Sequence, residues 1–267
     1  MQRLIKPIIP EDNLELTMSN VKNIYSEMTA LDFYKLNSQN FRSDEFITEH
    51  SGKHILFAGC SHTFGQGNLL KDVWSHKLYE ELEGEKSGFF NLGTPGATYS
   101  EIAGQVLSYI AYYGVPDIVF ILLPDLYREF GKIRARKVLE SDEPKDIIEG
   151  LDLNFINANI TRLFDAVSYM VESAGGKVFV SSNNIYLCTL DEQCDIDPRD
   201  NMENFYPMDY VEMQREAYDY HFSESKKSDY PDYLLNAFDI MHDGPALQHS
   251  WYSHFIKTYK NVSGIIK

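Results

Sequence analysis

The stretch HILFAGCSHTFG, residues 54–65, decides the fold class because it joins a short apolar run to a tight turn. The run at 54–58 is nearly continuous in its apolar character, which is typical of a strand covered on both faces in a parallel sheet. Beyond the turn, apolar residues recur at helical spacing at Leu70, Val73, Trp74, Leu78 and Leu82. This part of the chain is therefore predicted to form a strand, a turn and a helix over about 69–82.

The same alternation continues toward the C-terminus. Further strands are predicted at 89–92, 117–123 and 177–181, and further helices at 100–113, 154–174 and 246–259. Gly114, Pro116 and the pair Gly175-Gly176 supply signals that end helices. Strands that alternate with helices through short turns imply right-handed crossovers and a parallel sheet. We therefore expect an α/β protein, a three-layer α/β/α sandwich with a doubly wound parallel sheet.

Three segments depart from this alternation. Residues 1–52 are polar without a clean period, and we interpret them as an N-terminal extension that wraps the core or meets a partner. Residues 53–267 form the remaining domain, with a charged insertion at about 126–152 and an acidic, tyrosine-rich one at about 186–236. Such insertions usually lie over the edge of the sheet where ligands bind, but a solvated flap or an oligomer contact fits equally. The tyrosines at 205–233 could stack on sugars or pack in a core or interface.

Composition excludes several classes of function. The 267 residues carry a net charge of −16, from 24 Lys and Arg against 40 Asp and Glu, so the surface repels nucleic acid. No apolar run reaches the roughly 18 residues that a membrane span needs, and the start lacks the apolar stretch of a secretory signal. We therefore expect a cytoplasmic or virion-associated protein. The three cysteines, Cys60, Cys188 and Cys194, are expected to be free thiols, although Cys188 and Cys194 could close a small loop.

Ser61 is the candidate nucleophile because it follows the first strand directly. The turn would present its hydroxyl at the C-terminal edge of the sheet, beside the N-terminus of the next helix. Backbone N–H groups there could stabilise a developing oxyanion. The alternative is that Ser61 only caps this helix.

A second candidate lies near the C-terminus, in DIMHDGPALQHSW at 239–251. A histidine that acts as a base needs a carboxylate on one ring nitrogen, which leaves the other nitrogen for the nucleophile. Asp239, three residues before His242 on a tight loop, could supply that carboxylate. The alternative is a surface loop rich in residues that favour turns.

Together with a third block, NLGTPGAT at 91–98, these motifs resemble the SGNH/GDSL hydrolase family, whose members have a flavodoxin-like sheet. Their order and spacing match over most of the chain. The resemblance implies that Ser61 is the nucleophile, His242 the general base and then acid, and Asp239 the residue that orients His242. It also implies that the backbone N–H groups of Ser61 and Gly93 form the oxyanion hole.

One block departs from the family pattern. The family has Gly-x-Asn-Asp after the third strand, and the Asn donates to the oxyanion, whereas this chain has Leu122-Leu123-Pro124-Asp125-Leu126. Losing one oxyanion donor typically costs about 10²–10³ in rate. Asp125 could donate only if burial keeps it protonated. Asn183 or Asn184, just beyond the fourth strand, could replace it.

Other chemistries fit these residues less well. Cys60 could be the nucleophile, but alternation should point its side chain away from that of Ser61 into the core. A metal site could be formed by Asp239, His242, Asp243 and His249. However, His249 and His254 are five residues apart, a spacing that does not place two ligands on one face of a helix. Gly65-x-Gly67 lacks the Lys-Ser/Thr of a phosphate loop. We therefore expect neither a metal nor a cofactor, and His62 and His76 are expected at the surface or as supports behind the site.

The sequence thus predicts a serine esterase that removes an O-acetyl or other acyl group from a small-molecule or glycan ester through an acyl-enzyme on Ser61. The alternative is a non-catalytic structural or binding protein with this fold, for example a virion or surface-assembly component. In either case the extension at 1–52 could mediate homo-oligomers or a contact within a virion.

Overall fold

The protein is represented by a computed structural model. The structure describes residues 4, 6–9, 11–82, 87–124, 128–129, 152–182, 202, 204–226, 231–240 and 242–265. Cys188, Cys194, most of the insertion predicted at about 126–152 and the first part of the one predicted at about 186–236 lie outside these residues.

A parallel sheet forms the middle layer. Its strands are β1 (Ile55–Gly59), β2 (Phe90–Asn91), β3 (Ile118–Leu123) and β4 (Lys177–Ser182). Their order across the sheet is β2-β1-β3-β4, and each neighbouring pair is parallel. The predicted parallel sheet is therefore confirmed. In sheets with this order the chain leaves β1 on one side and returns on the other, which opens a crevice at the C-terminal ends of β1 and β3. Ser61 follows β1 at this crevice.

The helices flank the sheet. They are α1 (Glu11–Lys22), α2 (Ala30–Tyr34), α3 (Ser61–Phe64), α4 (Trp74–Glu81), α5 (Tyr99–Tyr113), α6 (Leu153–Ser173), α7 (Tyr210–Ser225), α8 (Pro231–Leu235) and α9 (Pro245–Val262). The helix predicted over 69–82 is divided, because Val73 is extended between a short 3-10 turn, Leu70–Asp72, and α4. Among the helices described, none is long and apolar enough to cross a membrane.

Alternation along the strands creates two cores, one on each face of the sheet. One face presents Leu56, Val119, Ile121 and Val178 to α5 and α6. The other presents Phe57, Phe120 and Phe179 to α4 and α9. These three phenylalanines stack across neighbouring strands, with ring centroids 5.7 and 5.1 Å apart. The molecule is therefore the predicted three-layer α/β/α sandwich.

The segment predicted as an N-terminal extension packs closely on this sandwich. Its residues Phe33 and Tyr34 form a third apolar cluster with Phe64 and Phe238, which flank the candidate site residues in sequence. The side-chain amide of Asn20 donates to the carbonyl of Phe238 at 2.6 Å. Two segments 218 residues apart in sequence therefore meet beside the candidate site.

Buried histidines link the fold to pH. His54 precedes β1, is almost fully buried, stacks on the His50 ring at 3.5 Å and hydrogen bonds through Nε2 to the Tyr109 hydroxyl at 2.8 Å. Burial, together with the nearby charge of His50, lowers the pKa of His54 to about 4. Burial also lowers the pKa of His249 to about 4. Both rings are therefore neutral in the folded protein at pH 5–7.

We expect the free energy of unfolding to fall as the pH falls from 6.5 toward 4. In this window the unfolded chain protonates these rings and the folded chain does not, so the unfolded state binds more protons. Urea unfolding at pH 7 and pH 5 measures the effect. The decrease should be smaller by roughly 1–2 kcal/mol in His54→Gln, because one such ring is removed. An identical decrease in the two proteins would show that His54 does not titrate in this way.

Candidate active site

His242 and Asp239 form the hydrogen-bonded pair that the sequence predicts. Nδ1 of His242 lies 2.6 Å from Oδ2 of Asp239, and the backbone N–H of His242 donates to Oδ1 at 3.1 Å. Asp239 is fully buried, whereas the His242 side chain is 15% exposed. Because an ionised carboxylate only accepts hydrogen bonds, Nδ1 carries the proton and Nε2 carries the lone pair. This is the tautomer that a general base requires.

A closed loop between α8 and α9 holds the pair. The backbone N–H of Ala237 donates to the carbonyl of His242 at 2.9 Å, and that of Gly244 donates to Leu235 at 3.0 Å. The N–H of Phe238 donates to the carbonyl of Gly67 at 2.8 Å, which docks the loop on the chain that follows α3. Gly67 has φ +72°, and a Cβ there would lie 2.8 Å from the Asp239 carboxyl carbon. A glycine is therefore required where this chain passes the buried carboxylate.

Ser61 begins α3 directly after β1 and Cys60, as predicted, and is 2% exposed. Within the part of the chain that the structure describes, its hydroxyl contacts the Cys60 sulfur at 3.9 Å and makes no hydrogen bond to His242. The prediction that the side chains of Cys60 and Ser61 point apart assumed that the strand continues through both residues. Because β1 ends at Gly59, strand alternation does not apply to them. Cys60 is fully buried, as expected.

His62, the residue after Ser61, lies beside the Asp239–His242 pair. Its ring centroid lies 5.7 Å from that of His242 and 4.8 Å from the Trp251 ring. Burial lowers the pKa of His62 to about 3, and the charges of His242 and Arg128 act in the same direction. His62 therefore stays neutral and adds no positive charge beside His242. It is a support behind the site rather than a surface residue.

Asp243 is a second carboxyl group near these rings. Its Oδ2 lies 3.9 Å from Nδ1 of His62, beyond a hydrogen bond. Burial raises the pKa of Asp243, and the charge of His242 opposes this shift. The carboxylate that holds His242 by a short hydrogen bond is therefore Asp239, not Asp243.

The backbone N–H of Gly93, a predicted oxyanion donor, already makes a hydrogen bond. Gly93 packs on the end of α3, where a Cβ would lie 2.3 Å from the Phe64 nitrogen. Its backbone N–H donates to the side-chain carbonyl of Asn91 at 2.8 Å, and the Asn91 amide donates to the carbonyl of Thr63 at 2.8 Å. Asn91 thus ties the loop after β2 to the turn that carries Ser61. The N–H of Gly93 is engaged in this bond, so it could stabilise an oxyanion only by sharing or breaking it.

The remaining predicted donors, Asp125, Asn183 and Asn184, lie outside the described residues. Among the residues that are described, no group of three His, Cys, Asp or Glu side chains could hold a metal ion. His249, from the metal set considered above, stacks on Tyr220 of α7 with the ring centroids 4.4 Å apart.

Two further side chains position the site and were not predicted. The first is Gln248 of α9, which is fully buried. Its amide oxygen accepts from the backbone N–H of Trp74 at 2.9 Å, and its amide nitrogen donates to the carbonyl of His62 at 3.3 Å. Gln248 lies in the segment 239–251, within the helix predicted at 246–259. Its position on the inner face of that helix could have indicated that it is buried beside the site.

The second is Arg42, in the N-terminal segment. Its guanidinium is buried and donates to the carbonyls of Gly65, Asn68 and Phe33 at 2.7, 2.9 and 2.9 Å. Burial lowers its pKa to about 10. The Tyr34 hydroxyl accepts from the Gly67 N–H at 3.2 Å. The N-terminal segment therefore fixes the chain at 65–68, against which Asp239 packs.

Comparison of the sequence with protein-family models gives no match, and comparison with curated proteins gives no significant match. The resemblance to SGNH/GDSL hydrolases therefore rests on the three sequence blocks alone.

Proposed function

We propose that this protein is a serine hydrolase of the SGNH type that cleaves carboxylic esters. The observation that carries the proposal is the short bond from His242 to the buried Asp239, which leaves Nε2 as a base. This pair lies beside His62, the residue after Ser61, at the C-terminal edge of the sheet. Ligands of doubly wound proteins bind at this edge.

In the proposed reaction the Ser61 oxygen attacks the acyl carbonyl carbon while its proton passes to Nε2 of His242. The oxyanion collapses and expels the alcohol, which takes the proton from His242. His242 then removes a proton from water, which attacks the acyl-Ser61 ester and releases the carboxylic acid and the free serine. The Ser61 hydroxyl must leave the Cys60 sulfur to do this, and catalytic hydrogen bonds often tighten only when substrate binds.

A fluorophosphonate probe and p-nitrophenyl acetate test the proposal. We expect covalent labelling of the wild type at Ser61 and release of p-nitrophenol, and we expect both to be lost in Ser61→Ala. Cys60→Ala is the matched control, because it changes the neighbouring side chain and removes the alternative thiol nucleophile. Activity that survives in Ser61→Ala would contradict the assignment, and loss of labelling in Cys60→Ala alone would transfer it to the thiol.

A second candidate is a non-catalytic module with this fold, such as a virion or surface-assembly component. It is favoured by the bond between the Gly93 N–H and Asn91, which occupies a predicted oxyanion donor. Absence of labelling between pH 5 and 9 in a folded protein would favour the module. Phe33, Tyr34 and Arg42 are buried, so a partner that binds the segment 1–52 would have to contact other side chains of that segment that are exposed. The proposed location in either case is the cytoplasm or a virus particle.

A further inference from the structure

Ile240 adopts a backbone conformation that isoleucine avoids. Its φ is +52°, and among the described residues the other non-glycine positions with positive φ are Lys35 and Asn40. A β-branched side chain in the left-handed region is a genuine outlier, whereas Asn and Gly tolerate it. The conformation itself follows from the turn that brings Asp239 and His242 together, since the Ile240 N–H donates to the carbonyl of Ala237 at 2.8 Å.

Packing does not explain the isoleucine either. Ile240 is 66% exposed, while the three preceding residues, Ala237, Phe238 and Asp239, are buried. It belongs to none of the three apolar clusters of the described residues. The isoleucine side chain therefore neither suits the backbone conformation nor buries most of its surface in the folded protein.

The position of Ile240 suggests what the side chain contributes. It lies between the carboxylate and the base of the candidate site, on the one loop that carries both. Strained residues persist where the surrounding structure holds them, and they cluster at active sites and ligand clamps. An exposed branched hydrocarbon at this point gains favourable burial only when an apolar group covers it.

We propose that Ile240 forms an apolar subsite for the hydrocarbon part of the ester substrate. The inference rests on the proposed esterase function and narrows its substrate class from any ester to esters that carry an apolar chain. That chain could belong to the acyl group or to the alcohol, because either is attached to the carbonyl that Ser61 attacks.

The test uses the full-length variant Ile240→Asn, since Asn fits the left-handed conformation and is polar. We expect the melting temperature to rise by about 2–4 °C because the strain is relieved. We also expect a loss of kcat/KM that grows with chain length, from under about threefold for p-nitrophenyl acetate to over about tenfold for the hexanoate. A second series, ethyl, butyl and hexyl acetate, varies the alcohol alone and shows which side of the ester is bound.

Val211→Asn is the matched control, because Val211 is also β-branched and is 75% exposed, but lies on α7 with an ordinary backbone. It should leave both chain-length profiles unchanged. The NMR signal of the His242 Nδ1 proton should be the same in Ile240→Asn and the wild type, which excludes a shift of the base. Identical chain-length profiles in Ile240→Asn and the wild type would overturn the subsite. If the wild type hydrolyses no ester of either series, the esterase function itself is wrong and the subsite falls with it.

Discussion

Replacing Asp239 by Asn should lower kcat for ester hydrolysis by about 10³–10⁴-fold while the fold is kept. The reason is the hydrogen bond from the backbone N–H of His242 to Oδ1 of residue 239, which needs an oxygen there. The Asn amide group would then turn its NH₂ toward Nδ1 of His242. Nδ1 would become the acceptor and the ring proton would move to Nε2, which could no longer take the proton of Ser61.

The measurement is steady-state hydrolysis of p-nitrophenyl acetate, with NMR of the His242 ring to assign the tautomer. Asp243→Asn is the matched control, since Asp243 lies four residues along the same loop and makes no hydrogen bond to His242 among the described contacts. Its kcat should stay within about threefold of the wild type. Equal activity of Asp239→Asn and the wild type would show that His242 is not the base, or that Asp239 does not orient it.

Arg42→Met should lower the free energy of unfolding by about 3–5 kcal/mol. Methionine fills part of the space but removes the guanidinium donor from the carbonyls of Phe33 and Asn68, whereas the Gly65 carbonyl keeps the N–H of Asn68 at 3.1 Å. Each buried group left unpaired costs roughly 1–3 kcal/mol. The stacking of the guanidinium on Phe33 and Tyr34, at 5.5 and 5.2 Å, is lost as well. Relief of the cost of burying a cation offsets part of this loss.

Urea unfolding measures the effect, and Arg162→Met on the exposed side of α6 controls for loss of charge alone. We expect the control to change stability by less than about 0.5 kcal/mol. At a temperature where Arg42→Met is folded, its kcat should also fall, because the chain at 65–68 supports Asp239. A variant as stable as the wild type would mean that water replaces the guanidinium on these carbonyls.

The sheet and the Asp239–His242 pair were predictable from the sequence because both depend on local patterns. Apolar runs such as the one at 117–123 mark buried strands, and glycines mark the helix ends. An aspartate three residues before a histidine on a tight loop needs only a turn to meet it. The turn itself requires a positive φ at Ile240, and the sequence does not predict this because isoleucine rarely adopts such a conformation.

What the sequence concealed depends on contacts between distant residues. Arg42 lies in a polar stretch without periodicity, and its partners are found only when the chain at 65–68 folds back onto it. The helices α7 and α8 lie in the segment predicted as an acidic insertion, where α7 packs on α9. The engagement of the Gly93 N–H is the exception, because it is a local contact that the Asn two residues before Gly93 could have signalled.

The bond between Asn20 and Phe238 has a consequence for synthesis of the protein. A chain emerging from the ribosome can complete α1–α6 and all four strands before residue 238 exists. Until then the surface formed by Phe33, Tyr34 and Phe64 lacks Phe238, the last member of its cluster. On the proposed function, the nascent polypeptide would therefore carry the Ser61 hydroxyl long before it carries the His242 base, and hydrolysis would begin only after residue 242 has been synthesised.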